Sequence, residues 1–471
     1  MRSEGFHPFA RAALPARWGR LLAVAWAVVL GGCAVALPKL PQHVPDTWQH
    51  AATAAAAPEP DLRGWWKAFD DPLLDRLVDA ALADNPGLGE ALLRLESARL
   101  LAQHAGSPYR PQLSAHTYAE PTPDSSASYF QAGFDARWEL ALFGRGESAR
   151  RVAAGTLGGA EAMAAAAKVS VVAEVVRSHV ELRAAEQRLA LLGEALRLAE
   201  DRARLVATRE RLQLASGIEL EQARGAVAQA EAALAEPRLA IDTTLQQLAV
   251  LTGRERPDPA WGASPRALSL GEVALAEAPA DLLRTRPEIR RAEGEVLKAA
   301  GELGLARADR FPRIGLGGSL TYSAKVVGNS HLSDADSIVT FGPAIDIPLF
   351  DWGMRQAAAD AREKDLAAAL LAYRHAVLQG IGEAETALAA LARHAVEGEA
   401  LARAVEAHRR AVAVSAELRR LGLADDFARS DAAGGLLAVQ LAALDATRER
   451  SLAFVALYKA LGGAPLPDGV R

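Results

Sequence analysis

The chain has 471 residues, a formal net charge of −5 and a pI near 6.1. This mild charge balance gives no reason to expect nucleic acid or another strongly charged partner. Aromatic residues make up only 5% of the sequence, which is low for a large ordinary globular core, while the many alanines suit long helices that pack closely.

The N-terminus has the features of a secretory signal peptide, predicted over residues 1–32. A basic region precedes Leu21–Leu30, an apolar run of ten residues that is too short to span a bilayer as a helix. Small residues then lead into Cys33, as in the bacterial lipobox, and Cys33 is the only cysteine of the chain. Lipidation of Cys33 is therefore predicted; the alternative is a plain signal with an incidental cysteine. Ala34, rather than Asp, follows and resembles the signal for outer-membrane sorting.

Residues 33–63 are rich in proline and alanine. Such a composition favours an extended tether over a packed element. Lipid chains alone anchor a protein only moderately, so a second attachment to the membrane is expected.

The rest of the chain is an internal duplication. Pro86 and Pro111 recur as Pro287 and Pro312, 201 positions later in both cases. A period this long indicates a duplicated domain rather than a solenoid. The predicted divisions are a first repeat at 64–253, a linker at 254–285, a second repeat at 286–463 and a tail at 464–471.

Each repeat contains two segments in which apolar and polar residues alternate, the pattern of β-strands. These predicted strands cover residues 112–120, 129–140, 313–323 and 338–348. Their length of roughly 9–11 residues suits a tilted strand that crosses a bilayer, and one face of each is apolar while the other is polar. A half-buried sheet of a soluble domain alternates in the same way. The lipobox favours the membrane interpretation.

Four strands cannot close a barrel, and an open sheet edge cannot lie in hydrocarbon because its N–H and C=O groups would lack partners. Several chains must then share one barrel. Two copies would supply eight strands and a filled interior, whereas three would supply twelve and begin to leave a channel. The charged inner faces favour three.

After each strand pair comes a proline-free stretch, from Gly146 to about Gln213 and from Arg355 to Arg420. Each predicts a helix of about 100 Å at ~1.5 Å per residue, with coiled-coil spacing in the first. Return helices are predicted after each, with Gly217 as the C-cap of the first long helix and Pro237 interrupting its return helix.

The sequence holds no recognisable catalytic motif and no cysteine pair, so an enzyme is not predicted and no cofactor or metal site is expected. The ten histidines are scattered. His179 and His375 lie on predicted helices and are expected to be solvated rather than to bind a metal.

The segment Gly64–Val78 reads GWWKAFDDPLLDRLV and resembles the opening of the lipoprotein outer-membrane factors, the TolC-like ducts of the NodT-type, OprM-like branch. The segment Pro348–Gly353 also resembles a landmark of that family. The resemblance implies a mainly α fold with membrane β-strands. Long helical hairpins would form an α-barrel through the periplasm, and four strands per chain would form a twelve-stranded trimeric β-barrel. The linker at 254–285 would wrap the waist.

The resemblance also implies partners and a function. A homotrimer in outer-membrane lipid would dock a periplasmic adaptor (membrane fusion) protein and an inner-membrane pump of the RND type. The chain would be the passive exit duct for drugs or other toxic small molecules. The alternatives are a duct for type I protein secretion and a periplasmic adaptor lipoprotein, although adaptors have only one helical hairpin.

Acidic residues near the helix tips line the gate of that family, which makes Asp425 and Asp426 the candidate gate residues. The commonest family pattern places Asp two residues after the tip glycine, where this chain has Ala424. Either carboxylate could instead cap the helix that follows. Arg419 and Arg420 are close enough in sequence to pair with them.

Overall fold

The structure is a computed structural model. It describes residues 36, 40, 48–49, 64–120, 129–262, 266–271, 286–325 and 337–463. The predicted signal peptide, Cys33, nearly all of the tether and the tail at 464–471 lie outside the described residues.

The described residues form eight α-helices and four strands. In chain order these are α1 (Pro72–Asp84), α2 (Pro86–Gln103), β1 (Gln112–Glu120), β2 (Tyr129–Glu139), α3 (Arg145–Arg211), α4 (Gly217–Ala232), α5 (Ala235–Leu251), α6 (Pro287–Ala308), β3 (Arg313–Lys325), β4 (Ser337–Asp346), α7 (Met354–Arg420) and α8 (Asp426–Ala460). The four predicted strands are confirmed, with each boundary within two residues of its predicted place.

The chain divides into two compact units, and the first contains Ser97–Gly159 and Ala292–Tyr373. Its centre is one antiparallel sheet in the order β1-β2-β3-β4, with every strand paired to the next one along the chain. The β2–β3 pair therefore joins the first repeat to the second.

Glycines let α3 and α6 approach closely in the first unit. A Cβ on Gly155 would lie 2.5 Å from both the carbonyl oxygen of Gly294 and the amide nitrogen of Lys298. A Cβ on Gly301 would lie 2.7 Å from the carbonyl oxygen of Ser148. The two backbones are therefore in direct contact, and no side chain fits between them at these points.

The second unit includes Pro41–Glu96, Ala160–Arg291 and Arg374–Arg471. Its best-defined cluster explains the aromatic residues of the GWWKAF segment. Trp65 stacks on Tyr458 of α8 with ring centroids 5.1 Å apart, and both Trp65 and Phe69 make T-shaped contacts with Phe454. Phe454 is only 2% exposed, so this segment is held against α8 by buried aromatic surface.

The long helices end differently from one another. The prediction that Gly217 caps the first long helix is wrong: α3 ends at Arg211, Gln213 takes the left-handed conformation, and Gly217 opens α4. Ser216 caps α4 in a reciprocal box with Glu219. The predicted interruption near Pro237 is confirmed, because α4 ends at Ala232 and Pro237 lies in the first turn of α5.

The second long helix ends at Arg420, the end of its predicted helical stretch, and Gly422 is left-handed at φ 70° between α7 and α8. Among the residues that the structure describes, no helix has a stretch both long and apolar enough to cross a bilayer.

Candidate functional site

The sheet has one apolar face and one polar face, as the alternation predicts. The register places Phe134 opposite Leu320, and Leu320 opposite Val339, on one face. Much of this face is solvent-exposed in the single chain: Val339 is 73% exposed, and its face neighbour Phe341 is 82% exposed. An apolar band of this kind on a sheet needs a covering phase or partner.

The opposite face carries charge. His116 Nδ1 lies 3.0 Å from Asp135 Oδ2 on the neighbouring strand. Arg137 pairs in register with Gln112, so the polar residues of β1 and β2 share this face. A sheet with a polar lumen side and an apolar lipid side matches the pattern of outer-membrane barrels.

An ion-pair network lies at the junction between the strands and α3. Arg145 Nη1 donates to Asp309 Oδ1 at 2.7 Å, and Arg313 Nη2 donates to the same oxygen at 2.8 Å. Burial alone would raise the pKa of Asp309, but the hydrogen bonds from Arg145 and Arg313 outweigh it and lower the pKa. Asp309 is therefore a stable anion that fixes where α3 leaves β2.

The α7–α8 tip contains both candidate gate residues. Asp425 is exposed and caps α8, with its Oδ1 accepting the backbone N–H of Ala428 at 2.9 Å. Asp426 is half-buried and ion-paired: Arg419 Nε lies 2.6 Å from its Oδ1, and Arg429 Nε lies 3.5 Å away. The capping role is thus observed for Asp425, while Asp426 links the start of α8 to the end of α7 through its ion pair with Arg419.

The expected pairing of the two tip arginines is only half right. Arg420 bonds Glu417 one turn earlier rather than either aspartate. Phe427 follows Asp426 in α8. The guanidinium carbons of Arg202 and Arg209 of α3 lie 5.4 and 5.1 Å from its ring centroid. These cation–π contacts connect the two hairpins near their tips.

A buried ion cluster supports α1, and the prediction that His179 is solvated is wrong. The His179 side chain is 2% exposed, and its Nε2 lies 3.1 Å from Asp71 Oδ2. Arg183 donates to the same oxygen through Nε and Nη2, both at 3.1 Å, and pairs through Nη1 with Glu186 at 2.9 Å. Asp71 Oδ1 caps α1 by accepting the N–H of Leu73.

Burial alone would raise the pKa of Asp71. The hydrogen bonds from His179 and the Leu73 amide, together with the charges of His179 and Arg183, instead hold this pKa far below its usual range. Asp71, the second aspartate of the GWWKAFDDP segment, thus anchors α1 to α3. The sequence signal that could have located it is the Asp-Pro pair at the start of α1, which marks an N-cap.

No group of three or more His, Cys, Asp or Glu side chains in the described ranges is arranged to hold a metal ion. The expected exposure of His375 is observed. Cys33, the predicted lipidation site, lies outside the described residues.

Comparison with known proteins settles the family. The family model described as "Outer membrane efflux protein" matches residues 77–254 and 278–463, most of the chain. The chain belongs to the outer membrane efflux protein family. It is 30% identical over 456 residues to outer membrane protein OprJ of Pseudomonas aeruginosa, covering 93% of this chain and 94% of that protein.

Two further relatives of the family agree. The solvent efflux pump outer membrane protein SrpC of Pseudomonas putida is 29% identical over 408 residues, covering 84% of this chain and 86% of SrpC. The open-state structure of the Neisseria gonorrhoeae MtrE outer membrane channel superposes with a TM-score of 0.78 at 26% identity, over 91% of this chain and 98% of MtrE. This member of the family is thus an outer-membrane channel component of an efflux pump, and it extends from the outer membrane into the periplasm.

Proposed function

We propose that three copies of this chain close one twelve-stranded barrel and form a passive export duct for toxic small molecules. The observation that carries this is the sheet itself: an apolar face, a charged face, and two edge strands, β1 and β4, without a strand partner in the described part of the chain. In hydrocarbon both edges must be paired, and further copies of the same chain supply the complementary edges. Three copies leave room for a wet lumen.

The remaining parts follow from the same proposal. The duct receives cargo from an inner-membrane pump, of the RND type, through a periplasmic adaptor, and it supplies no transport energy and no catalysis itself. Support comes from SrpC, whose name describes it as part of a solvent efflux pump. Residues 1–32 are removed as a signal, Cys33 carries the lipid anchor on its 33–63 tether, and the linker at 254–285 encircles the waist between the two repeats.

The α7–α8 tips form the gate of the duct. In a three-fold assembly Asp425 and Asp426 occur three times around one axis, so the paired carboxylates and arginines form a charged ring. Such a ring acts on passing ions even though each exposed pair alone stabilises the fold little. The exposed Asp425 and the Arg419–Asp426 ion pair support this assignment.

The two faces of β4 allow a sharp test of the barrel. Phe341→Arg places a charge on the apolar face and should cost about 2–4 kcal/mol at the bilayer midplane. Thr340→Arg, one residue earlier, places the same charge on the polar face and should assemble normally. The measurements are the native mass of detergent-solubilised protein and single-channel conductance in planar bilayers.

Wild type and Thr340→Arg should each give a mass of three copies and an open-channel current, with altered ion selectivity for the variant. Phe341→Arg should give less assembled protein. If the wild type is a single-copy species without conductance, or if Thr340→Arg is the more damaging change, the shared-barrel proposal is wrong.

A further inference from the structure

The duplicated strands repeat not only in sequence but in pairing. In the first hairpin Gln112 pairs with Arg137, and in the second Arg313 pairs with Asp346. The first strand of each hairpin is thus displaced by 201 positions and the second by 209. The helix starts, Arg145 in α3 and Met354 in α7, also differ by 209. The two repeats therefore have equivalent hairpins in an identical register.

The β2–β3 pair shows how the end of one repeat meets the start of the next. Glu139 pairs with Gly315, and the ladder continues with Leu140 N–H donating to the carbonyl of Ile314 at 2.9 Å. Just beyond the ladder, Phe143 stacks on Phe311 with centroids 4.9 Å apart and an interplanar angle of 14°.

The outer edges of the sheet are the equivalents of these two strands. The β4 edge corresponds to β2, and the β1 edge corresponds to β3. The equivalents of Leu140 and Ile314 are Leu349 and Leu113, which are 90% and 73% exposed. The repeat therefore supplies a template, already present inside one chain, for how a second copy would dock.

We propose that β4 of one copy pairs with β1 of the next copy in the register of the β2–β3 junction, so that Asp346 lies opposite His116 of the next copy. This inference rests on the proposed three-copy barrel, called the ring below. It specifies the boundary between β4 of one copy and β1 of the next, called the seam. The register also sets Leu349 opposite Leu113. Both predicted pairs keep like faces together: Asp346 and His116 belong to the polar face, and Leu349 and Leu113 to the apolar one.

The proposed pairing of β4 with β1 brings together acidic and basic side chains that no single chain contains. His116 already has Asp135 of its own chain 3.0 Å from Nδ1. In the proposed register, Asp346 of the neighbouring copy would face the imidazole from the other strand. Asp346 is itself opposite Arg313 of its own chain. The resulting row of acidic and basic side chains crosses the boundary between copies on the polar face, where polar cross-strand pairs stabilise a sheet.

The aromatic stack has an equivalent as well. Phe143 has the left-handed conformation at φ 56°, and Trp352 has it at φ 57°. The equivalent of Phe311 is Arg110. Trp352, which is 90% exposed, would therefore cover the guanidinium of Arg110 in the next copy, replacing an aromatic pair with a cation–π pair.

Disulfide trapping tests the register directly. Asp346 and His116 are equivalent to Arg137 and Gly317. Leu140 and Ile314 form a hydrogen-bonded pair, and these pairs alternate along the ladder, so Arg137 and Gly317 form a non-hydrogen-bonded pair with Cα atoms about 4.5 Å apart. That separation permits a disulfide, whereas diagonal positions about 7–8 Å apart do not favour one. Outer membranes carrying His116→Cys together with Asp346→Cys should form covalent multimers on non-reducing gels.

The matched controls keep His116→Cys and move the second cysteine to Ala344 or Pro348, two residues to either side on the same face. Each should give at least tenfold less covalent product, and the single variants none. Because the first pair removes Asp346 and His116 themselves, Leu113→Cys with Leu349→Cys repeats the test on the apolar face. Native mass of the same samples is measured in parallel.

The possible outcomes distinguish a wrong register at the seam from a wrong three-copy assembly. Multimers chiefly from the 116/346 and 113/349 pairs support the proposed register. Multimers chiefly from 116/344 or 116/348, or none from any pair while the native mass is that of three copies, overturn the register and leave the ring intact. A single-copy mass without cross-links overturns the proposed ring as well.

Discussion

Replacing Asp71 with Asn should loosen α1 from α3 without disturbing the cap of α1. Asn retains an Oδ1 that can accept the N–H of Leu73, the bond that Asp71 makes now. It loses the negative charge that Arg183 and His179 share. The matched control is Asp70→Asn at the adjacent position, where Asn tolerates the left-handed backbone that Asp70 adopts at φ 46°.

The structure gives the size of each effect. Asp71 is 9% exposed and Arg183 4%, so the change breaks a buried, hydrogen-bonded charge pair. Removing one partner of such a pair typically costs 3–5 kcal/mol, and the remaining Arg183–Glu186 pair places the expected cost near the lower value, about 3 kcal/mol. Asp70 is 92% exposed and pairs with Arg266 at 3.4 Å, so its change should cost about 0.5 kcal/mol or less.

Hydrogen exchange measured by mass spectrometry can read this difference locally. With about 1.36 kcal/mol per tenfold, a loss of about 3 kcal/mol should speed exchange of the α1 amides on the order of 100-fold, if they open locally. Asp70→Asn should leave them nearly unchanged. Equal exchange in α1 for the two variants would refute the anchor, because an uncoupled carboxylate would make both changes neutral.

The pH dependence of this contribution has a definite sign. The pKa of Asp71 is lowered in the folded chain, so its stabilisation is fully present above the unfolded value of about 3.9 and is lost as the pH falls further. The difference in α1 protection between wild type and Asp71→Asn should therefore be constant near neutral pH. It should shrink below about pH 4.

Three further predictions concern other parts of the chain. Gly155→Ala should lower the melting temperature measured by tryptophan fluorescence. Its Cβ would lie 2.5 Å from the backbone of α6, and such overpacking costs about 1–3 kcal/mol. The control Gly159→Ala has open space around its Cβ and should stabilise the helix by up to about 1 kcal/mol. Asp425→Ala should lower the free energy of unfolding by about 1 kcal/mol, because the cap of α8 is lost. Asp425→Ala and Asp426→Ala should each raise single-channel conductance. Unchanged conductance in both variants would mean that Asp425 is only a helix cap and Asp426 only an ion-pair partner. Cys33→Ser in the precursor should abolish acylation yet preserve some trimer assembly, and a wild-type mass without acyl chains would contradict the predicted anchor.

The strands could be located from sequence because a two-residue period is a local signal that survives in any context. The predicted strand boundaries lie within two residues of the observed ones. The register places Phe134, Leu320 and Val339 on one face, as the alternation predicts. The wrong assignment of Gly217 had a remedy in the sequence, since Ser216 followed three residues later by Glu219 is the pattern of a capping box.

The buried His179 could not have been found in the same way. Its environment depends on Asp71, more than a hundred positions earlier in the chain, and helical periodicity alone does not distinguish a histidine that faces another element from one that faces water. The same holds for the contacts of Phe427 with Arg202 and Arg209, which join separate hairpins. Long-range ion pairs need the three-dimensional arrangement because their spacing in sequence carries no period.

The duplication explains how one type of strand boundary can be used both within a chain and between chains of the proposed assembly. A ring of copies needs every strand boundary to be compatible with the next, and a chain with two equivalent hairpins already contains one such boundary between β2 and β3. The two kinds of boundary differ where the repeats have diverged. Phe143 stacks on Phe311 within the chain, and in the proposed register the equivalent pair between chains is Trp352 and Arg110. A Trp–Arg pair keeps the β1 side of the boundary hydrated before assembly, since the guanidinium of Arg110 stays in water until a second copy arrives. A Phe at this position would add an exposed ring on the β1 side to the exposed Phe350 and Trp352 beyond β4, and would favour premature association. Replacing Arg110 with Phe should therefore strengthen the seam in assembled protein while increasing aggregation of the unassembled chain.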